Sequence, residues 1–430
     1  DAIARFRNLE DVEYAEPDFI AHAFIAPNDP FYLYQWNFQK PAGIDVEAAW
    51  PIATGTGVIA AVVDTGVAYE NYGGYAQAPD LANTQFVAGY DFVNNDEHPN
   101  DDEGHGTHVA GTIAQSTENS LGVAGVAYGA ALMPVKVLDQ NGSGYYSDVA
   151  EGIRWAADNG AQVINLSLGG SSGATYLEEA LAYAAGKGVV IVAAAGNDGR
   201  SRLSYPAAYN QYVIAVGATR YDKTKSYYSN YGAGLDIVAP GGDTRVDQNG
   251  DGYVDGILQQ TFDANPTDFG YYFYQGTSMA TPHVTAVVAL VLAEGKATTT
   301  GAVRKAIEST ATDLGTAGWD NKFGWGLVNA GRAVLYNPTL QPPNQPPVAN
   351  AGADTIACTN NPTVPLGGTV LNATGGTWIG LGIFTPNNTT LNATYTPTAG
   401  EISAGFATLY LITTGNGLCP ADTDTITITF

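Results

Sequence analysis

One stretch of the sequence carries a serine whose setting could support nucleophilic chemistry: Tyr274-Gln-Gly-Thr-Ser-Met-Ala-Thr-Pro-His283. Gly276 permits a sharp turn, and the apolar run Val284–Ala293 predicts a buried helix, with Pro282 tolerated only in its first turn. Ser278 would then lie at a helix N-terminus, where free N–H groups and the helix dipole favour the negative charge that develops when a hydroxyl attacks a carbonyl. A Gly-Thr-Ser turn could equally be a plain helix cap.

Three other residues extend this serine into a possible catalytic set. Asp64 ends an apolar strand in Val62-Val-Asp-Thr-Gly66, and His105 begins a helix in Gly104-His-Gly-Thr-His-Val-Ala-Gly111. A serine hydroxyl needs a neutral imidazole to accept its proton, and the imidazole needs a buried carboxylate to fix its tautomer. Asn197 follows another buried strand and offers an amide donor for an oxyanion. Taken singly, the aspartate could cap a turn and the histidine could fit a tight corner.

Alternating apolar strands and helices must position these residues. The predicted strands are 58–64, 86–92, 132–138, 163–168, 189–194, 213–218 and 235–239. The predicted helices are 105–114, 147–159 (with Ser147 as N-cap), 176–185 and 300–308. Near-continuous apolar strands separated by helices predict an α/β fold in three layers, with a mostly parallel central sheet and sites at the carboxyl ends of its strands.

The predicted domains are a short N-terminal segment, a large α/β domain, a linker and a small β domain. Their boundaries are 1–26, 27–336, 337–347 and 348–430. The linker is rich in proline, and the last segment contains no Lys, Arg or His but much Thr, Asn and Gly. Candidate strands at 408–413 and 423–430 predict an all-β sandwich there. Two acidic insertions, 94–103 and 243–273, interrupt the α/β pattern.

Composition limits the partners of the chain. Its 430 residues, 45% of them hydrophobic, suffice for a large core. Acidic residues outnumber basic ones 42 to 17, and the net charge of −25 argues against nucleic acid and favours cation binding. No apolar run approaches the roughly 20 residues of a membrane helix. The chain begins at Asp1, and we expect a trimmed precursor. Cys358 and Cys419, the only cysteines, predict one disulfide bridge in the small domain of an exported protein.

The motifs resemble those of the subtilisin-like serine proteases, especially thermitase-like bacterial members. Val63-Asp-Thr-Gly66, His105-Gly-Thr-His-Val-Ala-Gly111, Ala194-Ala-Gly-Asn197 and Gly276-Thr-Ser-Met-Ala-Thr-Pro-His283 occur in that family's order. The resemblance implies that Ser278 is the nucleophile, His105 the general base and Asp64 its orienting carboxylate. It also implies that Asn197 and the Ser278 N–H stabilise the oxyanion. His108, on the same helix, is expected to pack locally.

The resemblance further implies a substrate cleft and an inhibitory propeptide. Extended protein or peptide substrates would pair with the segment Ser167, Leu168 and Gly169 and face the segment Ala194, Ala195 and Gly196, so broad specificity is expected. Residues 13–18 resemble the end of the family's propeptide, which would occupy the active site before self-cleavage somewhere between residues 21 and 28. A disordered N-terminal arm is the alternative reading.

Calcium is the expected cofactor, with a structural role. The resemblance implies a strong site formed by Asp29, Asp80 and Asn119 and a second site formed by Asp91, Asp96 and Asn100. Independently, Asp247, Asn249, Asp251 and Asp255 stand at positions 1, 3, 5 and 9 of a loop with glycine at position 6, which is most of an EF-hand loop. Position 12 is Leu258, so the loop departs from that pattern. Solvated acidic loops are the alternative for the last two sets.

The tail from Gly375 to Pro397 resembles the immunoglobulin-like repeats of secreted bacterial proteins, so a spacer, an adhesion module and a secretion-associated domain stay open. The sequence as a whole predicts a secreted bacterial serine endopeptidase, calcium-stabilised and monomeric. A catalytically idle surface or matrix-binding protein with the same fold is the alternative.

Overall fold

The computed structural model describes residues 26–337, 347–373, 375–414 and 421–430. The predicted propeptide segment and the Pro-rich linker lie outside these ranges, apart from their end residues.

A parallel eight-stranded sheet forms the centre of the larger part of the chain. Its strands are β1 (Ile59–Asp64), β2 (Gln85–Phe86), β3 (Tyr90–Asp91), β4 (Ala131–Lys136), β5 (Val163–Leu166), β6 (Val190–Ala194), β7 (Val213–Thr219) and β8 (Ile237–Pro240). They run in the order β2-β4-β1-β5-β6-β7-β8, with β3 also paired to β4, and every pairing is parallel. The predicted parallel sheet is confirmed.

Helices cover both faces of this sheet. They are α1 (His105–Ala114), α2 (Tyr146–Asp158), α3 (Thr175–Gly186), α4 (Thr277–Glu294), α5 (Thr300–Ser309) and the short α6 (Ala330–Ala333). Alternate residues of β1 enter opposite cores: Val62 packs with α1 and α4, whereas Val63 packs with α2 and α3. The period of two along the strand therefore produces the three-layer arrangement.

The sheet departs from the sequence prediction at its edge. The predicted strand 86–92 is two short strands, and between them the backbone at Gly89 lies too close to the carbonyl of Pro134 on β4 for a side chain to fit. Helix α2 begins one residue early, and the Ser147 hydroxyl donates to Asp148 and caps no backbone group. Pro282 is the sixth residue of α4 and so lies beyond its first turn.

The second acidic insertion contains a hairpin that the sequence analysis missed. Strands β9 (Ile257–Phe262) and β10 (Phe269–Tyr274) pair antiparallel, and β9 is fully buried against α1. The buried face includes Gln259, Gln260 and Thr261, and these polar residues obscured the strand pattern.

Helix α4 is long and apolar enough to cross a membrane by length and composition, but 78% of it is buried within the protein. It contacts β5, β6, β7 and β8 across one face of the sheet. Its apolar character thus serves the protein core.

The C-terminal part forms separate β-sheets around a core of its own. The strands are β11 (Val348–Asn350), β12 (Thr355–Ile356), β13 (Val364–Pro365), β14 (Thr369–Leu371), β15 (Gly375–Ile379), β16 (Ile383–Thr385), β17 (Thr394–Thr396), β18 (Phe406–Thr414) and β19 (Thr423–Thr429), with a helix α7 (Ala399–Ala404) before β18. The sheets β12-β19-β18-β15 and β13-β17-β16 share a core that includes Trp378 and Tyr395.

Cys358 is an exposed, free thiol, and Cys419 lies outside the described residues, so the predicted disulfide bridge is not confirmed.

Candidate active site

Asp64 and His105 form a hydrogen-bonded pair at the carboxyl end of β1. The Nδ1 atom of His105 lies 2.6 Å from Asp64 Oδ1, and the carboxylate is fully buried. Burial of the ring disfavours its charged form. The charge of Asp64 and its hydrogen bond, with smaller contributions from Glu103 and Asp101, outweigh that effect and raise the pKa of His105 to about 9. Since Nδ1 faces the carboxylate, Nε2 is the nitrogen free to accept a proton from a nucleophile.

The carboxylate of Asp101 holds the segments that carry Asp64 and His105 together through hydrogen bonds. Asp101, also buried, accepts hydrogen bonds from the Thr65 hydroxyl, the Glu103 and Gly104 backbone, and both the backbone and hydroxyl of Thr107. It thereby closes the N-terminus of α1, whose first residue is His105, onto the turn that follows Asp64.

Lys136 also stabilises the turn that follows Asp64. Its side chain is 1% exposed, and its ammonium group donates to the carbonyls of Thr65 and Leu138 and to Asp102, which lies 2.5 Å away. Asp101, Asp102 and Glu103 end the first acidic insertion. Each has a defined partner, and Glu103 accepts from the backbone N–H of His105.

Ser278 is the second residue of α4 and is joined to Ser167 by two hydrogen bonds. The Ser278 hydroxyl donates to the Ser167 carbonyl over 3.1 Å, and the Ser167 hydroxyl donates to the Ser278 carbonyl over 2.8 Å. Pro282 has no N–H and cannot make the usual helical bond to the Ser278 carbonyl, which is why that carbonyl is open to Ser167.

Asn197 approaches the same helix end from the loop after β6. Its Oδ1 atom accepts from both the backbone and the hydroxyl of Thr277, over 2.9 and 2.8 Å. With the oxygen fixed, the side-chain amide points its N–H₂ away from Thr277. A Cβ placed on Gly276 would lie 3.5 Å from Asn197 Nδ2 and 3.6 Å from the Ser278 nitrogen, so both donors border one small space. The sequence analysis did not identify Thr277 as the residue that orients Asn197.

A cleft of about 490 Å³ opens beside His105. Its lining includes Ser167, Leu168 and Gly169 together with His105 and Glu103. Ala194 and Ala195, predicted to face this segment, are buried and are not among the residues that line this cleft. The Ala195 and Gly196 carbonyls accept hydrogen bonds from Ser204 and Asn230, and Gly170 pairs with Tyr205.

The two other buried histidines near the site serve the packing. His108 Nε2 lies 3.0 and 3.1 Å from the carbonyls of Ile257 and Tyr272, and its ring stacks on Tyr274. Burial lowers the pKa of His108 to about 3 and that of His283 to about 4. Both are therefore neutral at working pH, and the local packing role predicted for His108 fits its contacts.

The first predicted calcium set comes together on one side of the fold. Asn119 donates to Asp80 from its side chain (2.8 Å) and to Asp29 from its backbone (3.4 Å). Both carboxylates are buried, and neither takes part in any ion pair of the described residues. Burial raises the pKa of Asp80 to about 6. Two buried carboxylates without a cationic side chain suit a divalent cation with oxygen ligands.

The second set is only partly enclosed. Asp91 is buried and accepts from Val93 and Asn94, whereas Asp96 is exposed and accepts from the His98 backbone. Asn100 is 2% exposed, and its Oδ1 atom has no hydrogen-bond partner.

The third set follows the EF-hand-like loop. Asp247, Asn249 and Asp251 accept from backbone N–H groups within the loop, and Asp255 accepts from Gln248. The other carboxylate oxygen of Asp255 is buried without a partner. Throughout the described ranges, no three Asp, Glu, His or Cys side chains lie close enough to hold a metal ion by themselves. Any cation would therefore also need amide or main-chain carbonyl oxygens.

Comparison with known proteins shows which family has this fold and these motifs. The family model described as "Subtilase family" matches residues 55–326. A thermophilic serine proteinase from Bacillus sp. (strain AK1) is 43% identical over 328 residues, which are 76% of this chain and 73% of the relative. Thermitase from Thermoactinomyces vulgaris is 42% identical over 72% of this chain and 99% of its own length. A solved protease structure from Pseudoalteromonas arctica aligns with a TM-score of 0.64 at 34% identity, covering 72% of this chain and 99% of that one.

The parallel sheet, the residues at its carboxyl edge and these relatives define a serine endopeptidase. More specifically, the chain belongs to the subtilase family.

Proposed function

We propose that the protein cleaves peptide bonds through Asp64, His105, Ser278 and Asn197. Ser278 Oγ attacks the substrate carbonyl while His105 Nε2 accepts its proton and later donates it to the leaving amine. Asp64 holds the Nδ1–H of His105 and stabilises the imidazolium. The side-chain amide of Asn197 and the N–H of Ser278 receive the oxyanion.

The observation that carries this assignment is the shared space between Asn197 Nδ2 and the backbone nitrogen of Ser278. A capping serine has no need of a second, independently oriented donor. The hydroxyl points to Ser167 in the present arrangement, and Ser167 and His105 line the same cleft, so rotation about the Ser278 side chain is the movement we expect before attack.

Covalent labelling tests the nucleophile. A sulfonyl fluoride should modify Ser278 and abolish activity, and peptide mapping should locate the label there. Asn197→Ala should lower kcat about 10² to 10³-fold with little change in KM, a magnitude known from subtilisin itself. Absence of labelling would favour the alternative of an idle binding protein, and a raised KM with unchanged kcat would contradict the role of Asn197.

The cleft supports a broad substrate range. Ser167, Leu168 and Gly169 offer main-chain groups beside His105, and pairing with the backbone of an extended substrate reads little sequence. We infer that this segment binds the residues before the cleaved bond, and that Ala194, Ala195 and Gly196 contribute to the pocket beyond that cleft. A cleavage profile on a peptide library tests both statements.

We also propose that the enzyme is secreted by a bacterium, released from its propeptide by self-cleavage, and active as a monomer, because all four site residues come from one chain and the relatives named above are bacterial. N-terminal sequencing of the wild type and of Ser278→Ala tests self-cleavage, since only the wild type should begin between residues 21 and 28. The C-terminal sheets, proposed as an immunoglobulin-like repeat, would then be a spacer or adhesion module.

Calcium is the proposed structural ion. Asp29, Asp80 and Asn119 would hold it at the first site, and Asp91, Asp96 and Asn100 at a second. Bound calcium would neutralise carboxylates that are buried without a cationic partner, while the proton transfers at Ser278 and His105 require no metal.

The loop from Asp247 to Asp255 is the third proposed calcium site. Asp247, Asn249, Asp251 and Asp255 would supply oxygens, and the partnerless buried oxygen of Asp255 is the feature that supports it. Burial raises the pKa of Asp255, against a hydrogen bond from the Gln248 backbone, and the charges of Asp247 and Asp251 raise it further. A cation is the ligand that relieves both effects.

Calorimetry on the inactive Ser278→Ala protein distinguishes the sites. Titration with calcium should give a stoichiometry that falls by one in Asp80→Asn and by one in Asp255→Asn. An excess of ion a hundredfold over Kd should stabilise the fold by about 2.7 kcal/mol per site, so chelation should lower Tm. Initial rates of the wild type measured promptly after chelation should stay near normal. An unchanged Tm in excess chelator would leave these loops as solvated surface.

A further inference from the structure

A chain of buried hydrogen bonds runs from the middle of α4 back to its own first turn. Thr285 Oγ1 donates to Asn165 Oδ1 over 2.8 Å, and Asn165 Nδ2 donates to Ser167 Oγ over 2.9 Å. Ser167 Oγ then donates to the Ser278 carbonyl. Thr285 and Asn165 are fully buried and Ser167 is 3% exposed, so water does not compete for these groups.

The direction of every bond in this chain is fixed by chemistry. The Ser278 carbonyl can only accept, so Ser167 must use its single proton there. The Ser167 oxygen then receives the amide N–H of Asn165, which leaves the amide oxygen of Asn165 facing Thr285. Only a hydroxyl donor at position 285 completes the chain. Thr281 on the same helix bonds differently, because its hydroxyl donates to the Thr277 carbonyl four residues earlier.

This chain of hydrogen bonds ends at Ser278, the proposed nucleophile. Pro282 deprives the Ser278 carbonyl of its helical partner, so Ser167 is the group that holds the backbone of Ser278. The Ser167 carbonyl also accepts from the Ser278 hydroxyl, and Ser167 lines the substrate cleft. The distance between the Ser278 hydroxyl and a substrate bound along residues 167–169 therefore depends on the position of the Ser167 side chain.

We propose that Thr285 is a positioning residue for the reaction: through Asn165 and Ser167 it sets the first turn of α4 and hence the place of Ser278 relative to the substrate segment. The proposal rests on Ser278 being the nucleophile. Thr285 touches no substrate, so its loss should lower kcat and leave KM nearly unchanged.

The test compares substitutions that keep or remove the hydroxyl. Thr285→Val removes it at nearly constant size, and Thr285→Ser keeps it but lacks one methyl group. Thr310→Val is the matched control, because Thr310 is equally buried and its hydroxyl bonds only the Ala306 carbonyl of its own helix. Rates on a chromogenic peptide are divided by the active-site concentration titrated with phenylmethylsulfonyl fluoride. Loss of one net hydrogen bond corresponds to a kcat lower by about 2- to 12-fold in Thr285→Val, with Thr285→Ser and Thr310→Val near wild type.

A double-mutant cycle separates positioning from general destabilisation. Ser167→Ala removes the last link with little loss of volume and should lower kcat by a similar factor. Adding Thr285→Val to Ser167→Ala should then change kcat no further, because the route to Ser278 is already cut. A multiplicative loss in the double variant, or a Thr285→Val protein with lower Tm but normal kcat, would overturn the proposal. If Thr285→Val does not fold, Ser167→Ala and Thr285→Ser still decide: normal kcat in Ser167→Ala contradicts the proposed route. Failure of the wild type to react with the titrant would instead contradict the nucleophile.

Discussion

Asp101 offers a decisive test of how the site is built. Substitution by Asn keeps the shape of the side chain and removes its charge. Its Oδ1 atom receives three donors, from Thr65, Glu103 and Gly104, and its Oδ2 atom receives two from Thr107. An amide can keep its oxygen on the first side only, where three donors lie, so its N–H₂ must face Thr107. The Thr107 hydroxyl can rotate, but its backbone N–H loses its acceptor.

The expected loss follows from these contacts. Hydrogen bonds to a buried charged acceptor contribute about 1.5 to 3 kcal/mol, and a lost helix cap alone costs about 0.5 to 2 kcal/mol. Because one backbone N–H is orphaned and the remaining bonds lose their charge, we expect Asp101→Asn to lower the free energy of unfolding by about 2 to 4 kcal/mol.

The assay is urea unfolding of the inactive Ser278→Ala protein, with and without Asp101→Asn, in calcium and in chelator. Asp222→Asn is the control: Asp222 accepts three hydrogen bonds, against five at Asp101, but it is exposed, so the change should stay within about 0.5 kcal/mol. The sign of the effect decides between two interpretations. If Asp101 were one of several mutually repelling loop carboxylates, its neutralisation would stabilise the protein in chelator. Such a gain in stability, or no change, would refute the role of Asp101 in holding the N-terminus of α1 to the turn after Asp64.

Three further outcomes follow from the site. Gly276→Ala should lower kcat at least about 10²-fold, because its Cβ would enter the space bordered by both oxyanion donors and because φ is +152° there; normal kcat on a peptide substrate would contradict this. If His105 acts as the proposed base in its neutral form, kcat/KM should rise with pH near the raised pKa of about 9, and Glu103→Gln should move the rise to lower pH in a pH–rate profile. Lys136→Met should lower the unfolding free energy in urea by about 3 kcal/mol, because Asp102 loses its partner and two carbonyls lose their donor; unchanged stability would show that this buried lysine is dispensable.

The sequence predicted the fold and the family, and it indicated the residues of the proposed site, through motifs that combine chemistry with local structure. A strand ending in aspartate and a helix beginning with a glycine-flanked histidine are local patterns, and the bounds of α1 matched residue for residue. Apolar runs located the central strands because both faces of a parallel sheet are buried. The position of Asn197 after a buried strand could be read from the sequence, but its orientation by Thr277, 80 residues away, could not.

What the sequence could not predict depends on partners distant along the chain. Asp101 looked like its acidic neighbours until its contact with Thr65 was known. Strand β9 was missed because Gln259 and Gln260 are buried, and the Oε1 atom of Gln260 accepts from the backbone of Asp80 far away in sequence. In the sequence alone, two adjacent glutamines indicate a surface loop. Only their hydrogen-bond partners in the folded protein explain why these side chains are buried.

The same long-range contacts explain why the site is a property of the whole domain. The bond from His105 to Asp64 spans 41 residues, that from Thr277 to Asn197 spans 80, and that from Thr285 to Asn165 spans 120. The first two pairs join a helix N-terminal region to the end of a strand, and the third joins the middle of α4 to β5. None can form before the strands have assembled, since the entropy of closing such loops must first be offset by packing of the sheet. We therefore expect the geometry of the proposed site to form only after the sheet has assembled. A substitution that loosens one of these bonds should reduce turnover even where the core, and with it the melting temperature, is almost unchanged.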